Sequence, residues 1–403
     1  MTAASFTRVG GAAVVAALAV AAPAVAHAGG FAIGEQSVVA AGTGGASTAR
    51  ADDAGAAWYD PAALADGGGW RIGINLVAAM ASLQAADPAG TWSAQTEGGV
   101  APVPNLHLAW AGGDWAGGVA VGVPFGGDVQ WPADWAGAHE IVASQLQVVR
   151  IAPFVGWRHD RLRVAAGVHV DLAHMQIDRG LDFIDTEGDV LIDLRGAGVG
   201  VDASAWADLG AVDVGLSYKS RTHVGLDGEA DFTAPDAFAM KLADQGASSS
   251  ITLPDRLALG AAWHRDALTV LGDVELTAWG VNQELVVDFA QDQTPDATQV
   301  NDWQRTIALR AGAEWRRGAT AVRGGAYVDP TPVQADHLSP TSPDSTRLGV
   351  TLGASRVVGD GVTIDGFYGY MHLGERTTTD PETMTASYGG HAHFAGVAVR
   401  VTR

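Results

Sequence analysis

The 403-residue chain has no cysteine, which excludes disulfide staples and thiolate metal sites. Basic residues are scarce: 24 Lys and Arg stand against 45 Asp and Glu, a formal net charge of −21. A chain of that sign does not neutralise phosphates, so nucleic acid is excluded as a partner. Past Ala28 there is no apolar run of the ~20 residues that a membrane helix needs. No nucleophile motif or Ser/His/Asp arrangement is legible. Gly196-Ala197-Gly198-Val199-Gly200 has the glycines of a phosphate loop, but it sits in a strand pattern with no helix after it. His391 and His393 share a strand face, as do His169 and Asp171. Two ligands fall short of a metal site. No cofactor and no metal are expected.

What is present starts with a leader. Arg8 precedes an Ala/Val stretch over 9–22, then Pro23 and the A-x-A site Ala26-His27-Ala28. Residues 1–28 read as a cleaved signal peptide, with the mature chain starting at Gly29. A membrane anchor is the alternative, and the stretch is short for one.

The rest alternates with a period of two, which means strands. Trp70, Trp110, Trp115, Trp157, Trp263 and Trp315 each stand beside a short turn, on the apolar parity of their own segment. Trp70 shares its parity with Ile72, Ile74 and Leu76, and Trp315 with Ile307, Leu309 and Ala311. Indoles gathered at one end of outward apolar faces are what a membrane–water interface selects. About fourteen strands are read between residues 70 and 402, within the range of even-numbered outer-membrane barrels. Tight turns (Gly112-Gly113-Asp114, His159-Asp160, Leu209-Gly210, Arg265-Asp266, Arg317-Gly318, Gly359-Asp360) alternate with longer loops near 84–99, 127–144, 177–188, 229–249, 289–303, 330–345 and 375–387. Short turns on one side and long loops on the other is the outer-membrane arrangement. A soluble all-β protein has no reason to alternate so regularly.

The opposite parity is polar and should face the lumen. It carries Arg163, His169 and Asp171; Asp213, Ser217, Lys219 and Arg221; Asp273, Glu275 and Thr277; Arg310 and Glu314. Small residues such as Ala258, Gly260 and Ala262 leave room inside. Residues 29–69 do not alternate and are rich in Ala and Gly. Short helices packed inside the barrel account for them, because backbone there must satisfy its own hydrogen bonds. The expected organisation is a signal over 1–28, a plug over 29–69 and a barrel over 70–403.

The plug carries Gly30-Phe31, Ala51-Asp52-Asp53-Ala54 and Asp60-Pro61-Ala62. Along the barrel run Pro124-Phe125-Gly126, Tyr218-Lys219-Ser220, Leu253-Pro254-Asp255-Arg256, Asp273-Val274-Glu275 with Trp279, and Val328-Asp329-Pro330-Thr331-Pro332-Val333. In order and spacing these resemble the FadL/TodX outer-membrane transporters of long-chain fatty acids and aromatic hydrocarbons, over nearly the whole mature chain. The resemblance implies an all-β, fourteen-stranded transmembrane barrel with a small helical hatch. It also implies a route: capture at extracellular loops, a pocket above the hatch, and lateral escape through a gap at the third strand. Two departures stand out. The chain ends Val401-Thr402-Arg403 where family members usually end in an aromatic residue, and Asp60 stands where the motif also takes Asn.

The residues suit that route. Pro102 and Pro104 on the second strand, and Pro124, Gly126 and Gly127 on the third, withhold ladder bonds or permit kinks. Pro124, Phe125, Gly126 and Gly127 are the candidate lateral gate. Phe31 and Ile33, with Asp60, Pro61 and Ala62, are the candidate pocket and hatch residues. Arg150, Arg163, Lys219 and Arg310 are candidate partners for a substrate carboxylate. The expected protein is monomeric and sits in the outer membrane of a Gram-negative bacterium, among lipid and lipopolysaccharide. Its partners are hydrophobic small molecules. A non-specific porin is the alternative, opposed by the plug; an outer-membrane hydrolase is the weaker one.

Overall fold

The computed structural model describes residues 30–65, 68–183, 187–381 and 383–403. The leader expected over 1–28 lies outside them. Fourteen antiparallel strands close into a barrel. They are β1 (Gly69–Ala86), β2 (Ala101–Gly112), β3 (Trp115–Gln130), β4 (Ala143–His159), β5 (Leu162–Asp182), β6 (Glu187–Asp208), β7 (Val212–Lys219 and Thr222–Thr233), β8 (Gln245–Leu253 and Arg256–Arg265), β9 (Leu268–Thr277 and Glu284–Phe289), β10 (Ala297–Val300 and Thr306–Arg317), β11 (Thr320–Asp329), β12 (Arg347–Gly359), β13 (Val362–Thr377) and β14 (Ser387–Thr402). β14 returns to pair with β1 from Arg71↔Thr402 to Ala86↔Ser387, so the sheet closes on itself. A short segment, Ser93–Gln95, folds back on the end of β1.

The six girdle tryptophans all point outward and are 39–57% exposed. Ile74, Leu76, Leu257, Leu259, Ile307 and Leu309 share that outer face. This is the apolar, aromatic-rimmed outer face that a membrane-spanning barrel presents to lipid. The short turns follow their chemistry. Asp160 and Asp266 take positive φ of 52° and 53°, the left-handed conformation a two-residue hairpin demands. The last short turn is Asp360-Gly361 rather than Gly359-Asp360, with Gly361 at φ 74°.

Two expectations about the long loops are corrected. The stretch over 177–188 is mostly strand, because β5 and β6 stay paired out to Asp182↔Glu187. The stretch over 229–249 is shortened from both sides, β7 running to Thr233 and β8 starting at Gln245. β7 to β10 are each broken partway, at 220–221, 254–255, 278–283 and 301–305. Pro254 supplies one cause, since it has no N–H for the ladder. The breaks in β7 and β8 lie side by side (Lys219↔Arg256, Thr222↔Leu253) and each flips side-chain parity. Ser217 is buried before the break, and Thr222, Val224 and Leu226 after it. Arg221 therefore faces outward, with its side chain 60% exposed and paired to Asp255 at 2.7 Å, not into the lumen as its parity with Lys219 suggests.

Residues 30–65 lie within the barrel, and only Asp52 among them is exposed. They form two one-turn helices, α1 (Val38–Ala41) and α2 (Ala56–Tyr59), and a 3-10 turn at Pro61–Leu64. Helices this short leave most of their backbone polar groups unpaired, and the wall supplies partners. Asn75 Oδ1 accepts from Val38 N at 3.0 Å and Thr351 Oγ1 from Gly44 N at 3.0 Å. Asp273 Oδ2 accepts from Ser47 N, Thr48 N and Thr48 Oγ1, each at 2.8 Å. Close approach needs glycine in the wall. A Cβ on Gly353 would stand 3.0 Å from Gly42 Cα, and one on Gly260 2.7 Å from Thr48 Cβ. Nearer the short turns, an ion-pair web ties the same segment down: Arg50–Glu314 at 3.1 Å, Arg316–Asp52 at 2.6 Å and Arg400–Asp53 at 3.8 Å.

Candidate ligand cavity and wall gap

The N-terminal residues meet β3 where β3 leaves its neighbours. The β2–β3 ladder ends at Leu106↔Val121. β2 itself continues against β1 as far as Ala79↔Ala101. Pro102 and Pro104 thus fall in the stretch of β2 that pairs on one side only, where a missing donor costs nothing. On its other edge β3 slips register against β4 between Gly122 and Phe125. The freed edge of β3 bonds to the N-terminal segment instead. Ile33 N donates to Pro124 O at 2.9 Å, and Gly126 N donates to Phe31 O at 2.7 Å.

This contact assembles an aromatic cluster. Phe31 lies edge-on to Phe125 and Trp279, at 5.7 and 4.9 Å between ring centroids, and 5.4 Å from Trp303. Trp279 and Trp303 are 5.3 Å apart. Such edge contacts add about 0.5–1.5 kcal/mol each beyond the area they bury. The break in β9 is what delivers Trp279, on the 3-10 turn Trp279–Val281. Gly30 is pinned on both sides: its N–H donates to Asp344 Oδ2 at 2.9 Å, and Arg347 Nη2 donates to its carbonyl at 3.0 Å.

Above the cluster is a cavity of about 370 Å³, within the range of small-molecule sites. Its apolar lining includes Phe31, Leu146, Met175, Ile177, Ile251 and Leu285, and its carboxamides include Asn282 and Asn301. Gly127 lines it too, and a Cβ there would meet nothing within 4 Å.

The expected site residues divide. Phe31 lines the cavity. Ile33 is buried one step away, its Cδ1 3.1 Å from where a Cβ on Gly126 would be. Asp60, Pro61 and Ala62 are buried elsewhere in the plug and do not line the cavity. Asp60 accepts from Ala62 N at 3.0 Å and caps the 3-10 turn. Burial pushes its carboxyl up to about 8, although Ser204 and Lys219 pull the other way. Pro124, Gly126 and Gly127 gather at the register slip. Phe125 does not face the lipid; it is fully buried and points into the aromatic cluster.

The four candidate cations are all occupied by the protein itself. Arg150 grips Asp171 with two bonds, 2.7 and 2.8 Å. Arg163 stacks over Trp206 and donates to Ala63 O at 3.2 Å. Lys219 stands 3.9 Å from Asp202. Arg310 stands 3.4 Å from Asp329 and 3.7 Å from Glu275. None of the four lines the cavity. Among the described residues no group of three or more His, Cys, Asp or Glu is placed to hold a metal. Sequence reasoning missed Trp303 and Asn282. The available signal was that Trp279 and Trp303 stand far from the short turns, so the girdle does not explain them.

Known proteins share this architecture. The model of the outer membrane protein transport family OMPP1/FadL/TodX matches residues 18–402. An outer membrane protein of Neisseria meningitidis serogroup B is 23% identical, over 87% of each chain. A FadL homologue of Pseudomonas aeruginosa superposes with a TM-score of 0.85 at 16% identity, over 93% of this chain and 99% of that one. The toluene transporter TodX of Pseudomonas putida does so at 0.73 and 17%, over 90% and 97%. With a family model matched along most of its length, this chain belongs to the OMPP1/FadL/TodX family of outer membrane transport proteins.

Proposed function

We propose that this protein moves hydrophobic small molecules through the outer membrane by way of the cavity above Phe31, with lateral exit through the β2–β3 seam. The observation that carries the reading is one contact: the cavity and the interrupted edge of β3 meet at residues 31–33 and 124–127. An apolar ligand there is one short step from lipid and does not need to cross water. The ladder bonds missing between β2 and β3 are the ones that would bar its way. Neighbours named as a monoaromatic hydrocarbon channel and a toluene transporter have the same fold, which makes hydrocarbons a natural class to test. A porin needs an open lumen, and the packing of residues 30–65 speaks against that use.

The test is uptake. Cells lacking other transporters of hydrophobic compounds should take up labelled decane or toluene saturably when they express the protein. A steady, large ion conductance in planar bilayers, with background uptake of both probes, would establish the porin reading instead.

A further inference from the structure

The wall is interrupted a second time, between β8 and β9. At the end away from the short turns their ladder runs from Ala247↔Phe289 to Ser249↔Val287, and it resumes only at Arg256↔Thr277. Between those points the described residues form no ladder across the seam. Ser249 Oγ donates to Val286 O at 2.6 Å and bounds this window above; Ala278 N donates to Asp255 O at 2.9 Å and bounds it below. The strands part because each stays with its other neighbour. β8 keeps its register with β7 down to Leu253↔Thr222. β9 turns through Trp279–Val281 and bonds to β10, where Asn301 N and Asp302 N donate to Gln283 O at 2.8 and 3.0 Å. Pro254 has no N–H with which to bridge back.

The cavity reaches this window. Ser250, Ile251 and Thr252 all line it, and so do residues 281–285 on the facing lip. Consecutive strand residues point to opposite faces. Ile251 is buried and Ser250 is exposed, so a cavity that borders both passes around the free edge of β8. The loop over 330–345 also borders the cavity, through Thr341, Ser342 and Pro343. That loop is fastened down, since the fully buried Trp131 donates from Nε1 to Pro340 O at 3.1 Å.

The two seams differ in chemistry and in height. Pro102, Pro124, Phe125 and Gly126 stand at the β2–β3 seam, and Ser250, Thr252, Gln283 and Glu284 at the window. At the usual rise and a tilt of about 40°, Pro124 lies roughly 23 Å above Trp115 and Ser250 roughly 33 Å above Trp263, against an apolar band of about 25 Å. Below the window β8 exposes Leu257 and Leu259; beside and above it β7 exposes His223, Asp227 and Glu229. One seam therefore meets lipid tails and the other meets the headgroup layer.

We infer that the window between β8 and β9 is the entrance to the cavity, admitting hydrophobic molecules sideways from the headgroup layer of the outer leaflet. A polar rim costs little at that height. A solute that enters gains by leaving the polar layer for Phe31 and Met175, and gains again on reaching lipid at the β2–β3 seam. It does not pass between the extracellular loops. This rests on the transport reading above and adds the point of entry.

The chain has no cysteine, so a single introduced thiol is unique. Ser250→Cys and Gln283→Cys place one on either lip. Gln84→Cys is the control, an exposed position whose neighbours on both sides are paired, Gln84↔Gly389 and Gln84↔Gln95. Each variant, in cells, is treated with a membrane-impermeant polyethylene glycol maleimide, and labelling is read as a gel shift. Uptake of labelled decane is compared before and after treatment, so each variant is its own reference. Labelling at Ser250→Cys or Gln283→Cys should cut uptake at least several-fold, and labelling at Gln84→Cys should leave it unchanged. Unchanged uptake with both lips fully labelled overturns this inference and leaves the transport reading standing. An equal loss in labelled Gln84→Cys overturns it too, because bulk anywhere on the outer rim would then suffice. Uptake by the wild type no greater than by cells lacking the protein overturns both.

Discussion

Gly126 N donates to Phe31 O at 2.7 Å, and through that bond the first described residues of the chain take the place that β2 vacates on the edge of β3. The pocket floor and the wall seam are therefore one element. Phe31 borders the cavity, and residues 31 and 33 carry the two bonds to the edge of β3. Regularising β3 alone would not shut the seam, because Pro102 and Pro104 lack donors on the facing strand.

A bulky residue at Gly127 tests that geometry more cleanly. A Cβ there meets nothing within 4 Å, and the residue lines the cavity on its β3 side. Gly127→Trp should insert and fold normally and should cut uptake of labelled decane at least several-fold by filling the passage. Normal uptake by an inserted variant would mean that ligands leave by another path.

Asp60 sets a pH dependence. Its carboxyl is held up at about 8 by burial, against about 3.9 in an unfolded chain. The folded protein thus keeps a proton that the unfolded one has lost. The contribution of this group to stability is greatest below pH 4 and declines as pH rises towards 8, by at most about 1.4 kcal/mol per pH unit. Asp60→Asn retains the Oδ1 that caps Ala62 N and has nothing to ionise. Its apparent melting temperature, read by heat-modifiability on gels, should exceed that of the wild type at pH 8 and converge with it at pH 4. Parallel curves for the two proteins would assign the pH dependence to another group.

How much of this was legible beforehand follows from the period of two. On strands that run unbroken, such as β1 and β6, parity alone puts Trp70 and Ile74 outside and Asn75 inside. Where the chain breaks, parity carries no further. Arg221 was assigned inward because nothing in Tyr218-Lys219-Ser220-Arg221 announces a slip, and the flip depends on Pro254 in the neighbouring strand. The cavity lay beyond reach for the same reason. Trp279, Asn282 and Trp303 come together only because the breaks in β9 and β10 turn their backbones inward. Phe31 and Ile33 were expected as pocket contacts with hatch packing as the equal alternative; Phe31 lines the cavity and Ile33 does not.

Arg150 separates structural from substrate-binding charge. It is buried and doubly bonded to Asp171, which also lies 3.7 Å from His169. Removing one member of such a pair strands the other and costs about 3–5 kcal/mol. Arg150→Met should therefore lower the apparent melting temperature. Decanoate and decane binding, measured on the folded fraction, should change by the same factor. Selective loss of decanoate binding would make Arg150 a carboxylate receptor after all.

Asp273 addresses what residues 30–65 do. One carboxylate oxygen of this wall residue accepts three hydrogen bonds from Ser47 and Thr48. Charge-assisted bonds contribute about 1.5–3 kcal/mol each. Asp273→Ala leaves two backbone N–H groups without an acceptor in the lumen, and it opens space beside Gly260. The plug should then fluctuate while the barrel, closed by β1 and β14, stays intact. In planar bilayers the wild type should pass little current. Asp273→Ala should show frequent brief openings, and deletion of residues 29–66 a larger and steadier conductance. If the deletion conducts no more than the wild type, residues 30–65 are not the barrier, and the seal must come from another part of the chain.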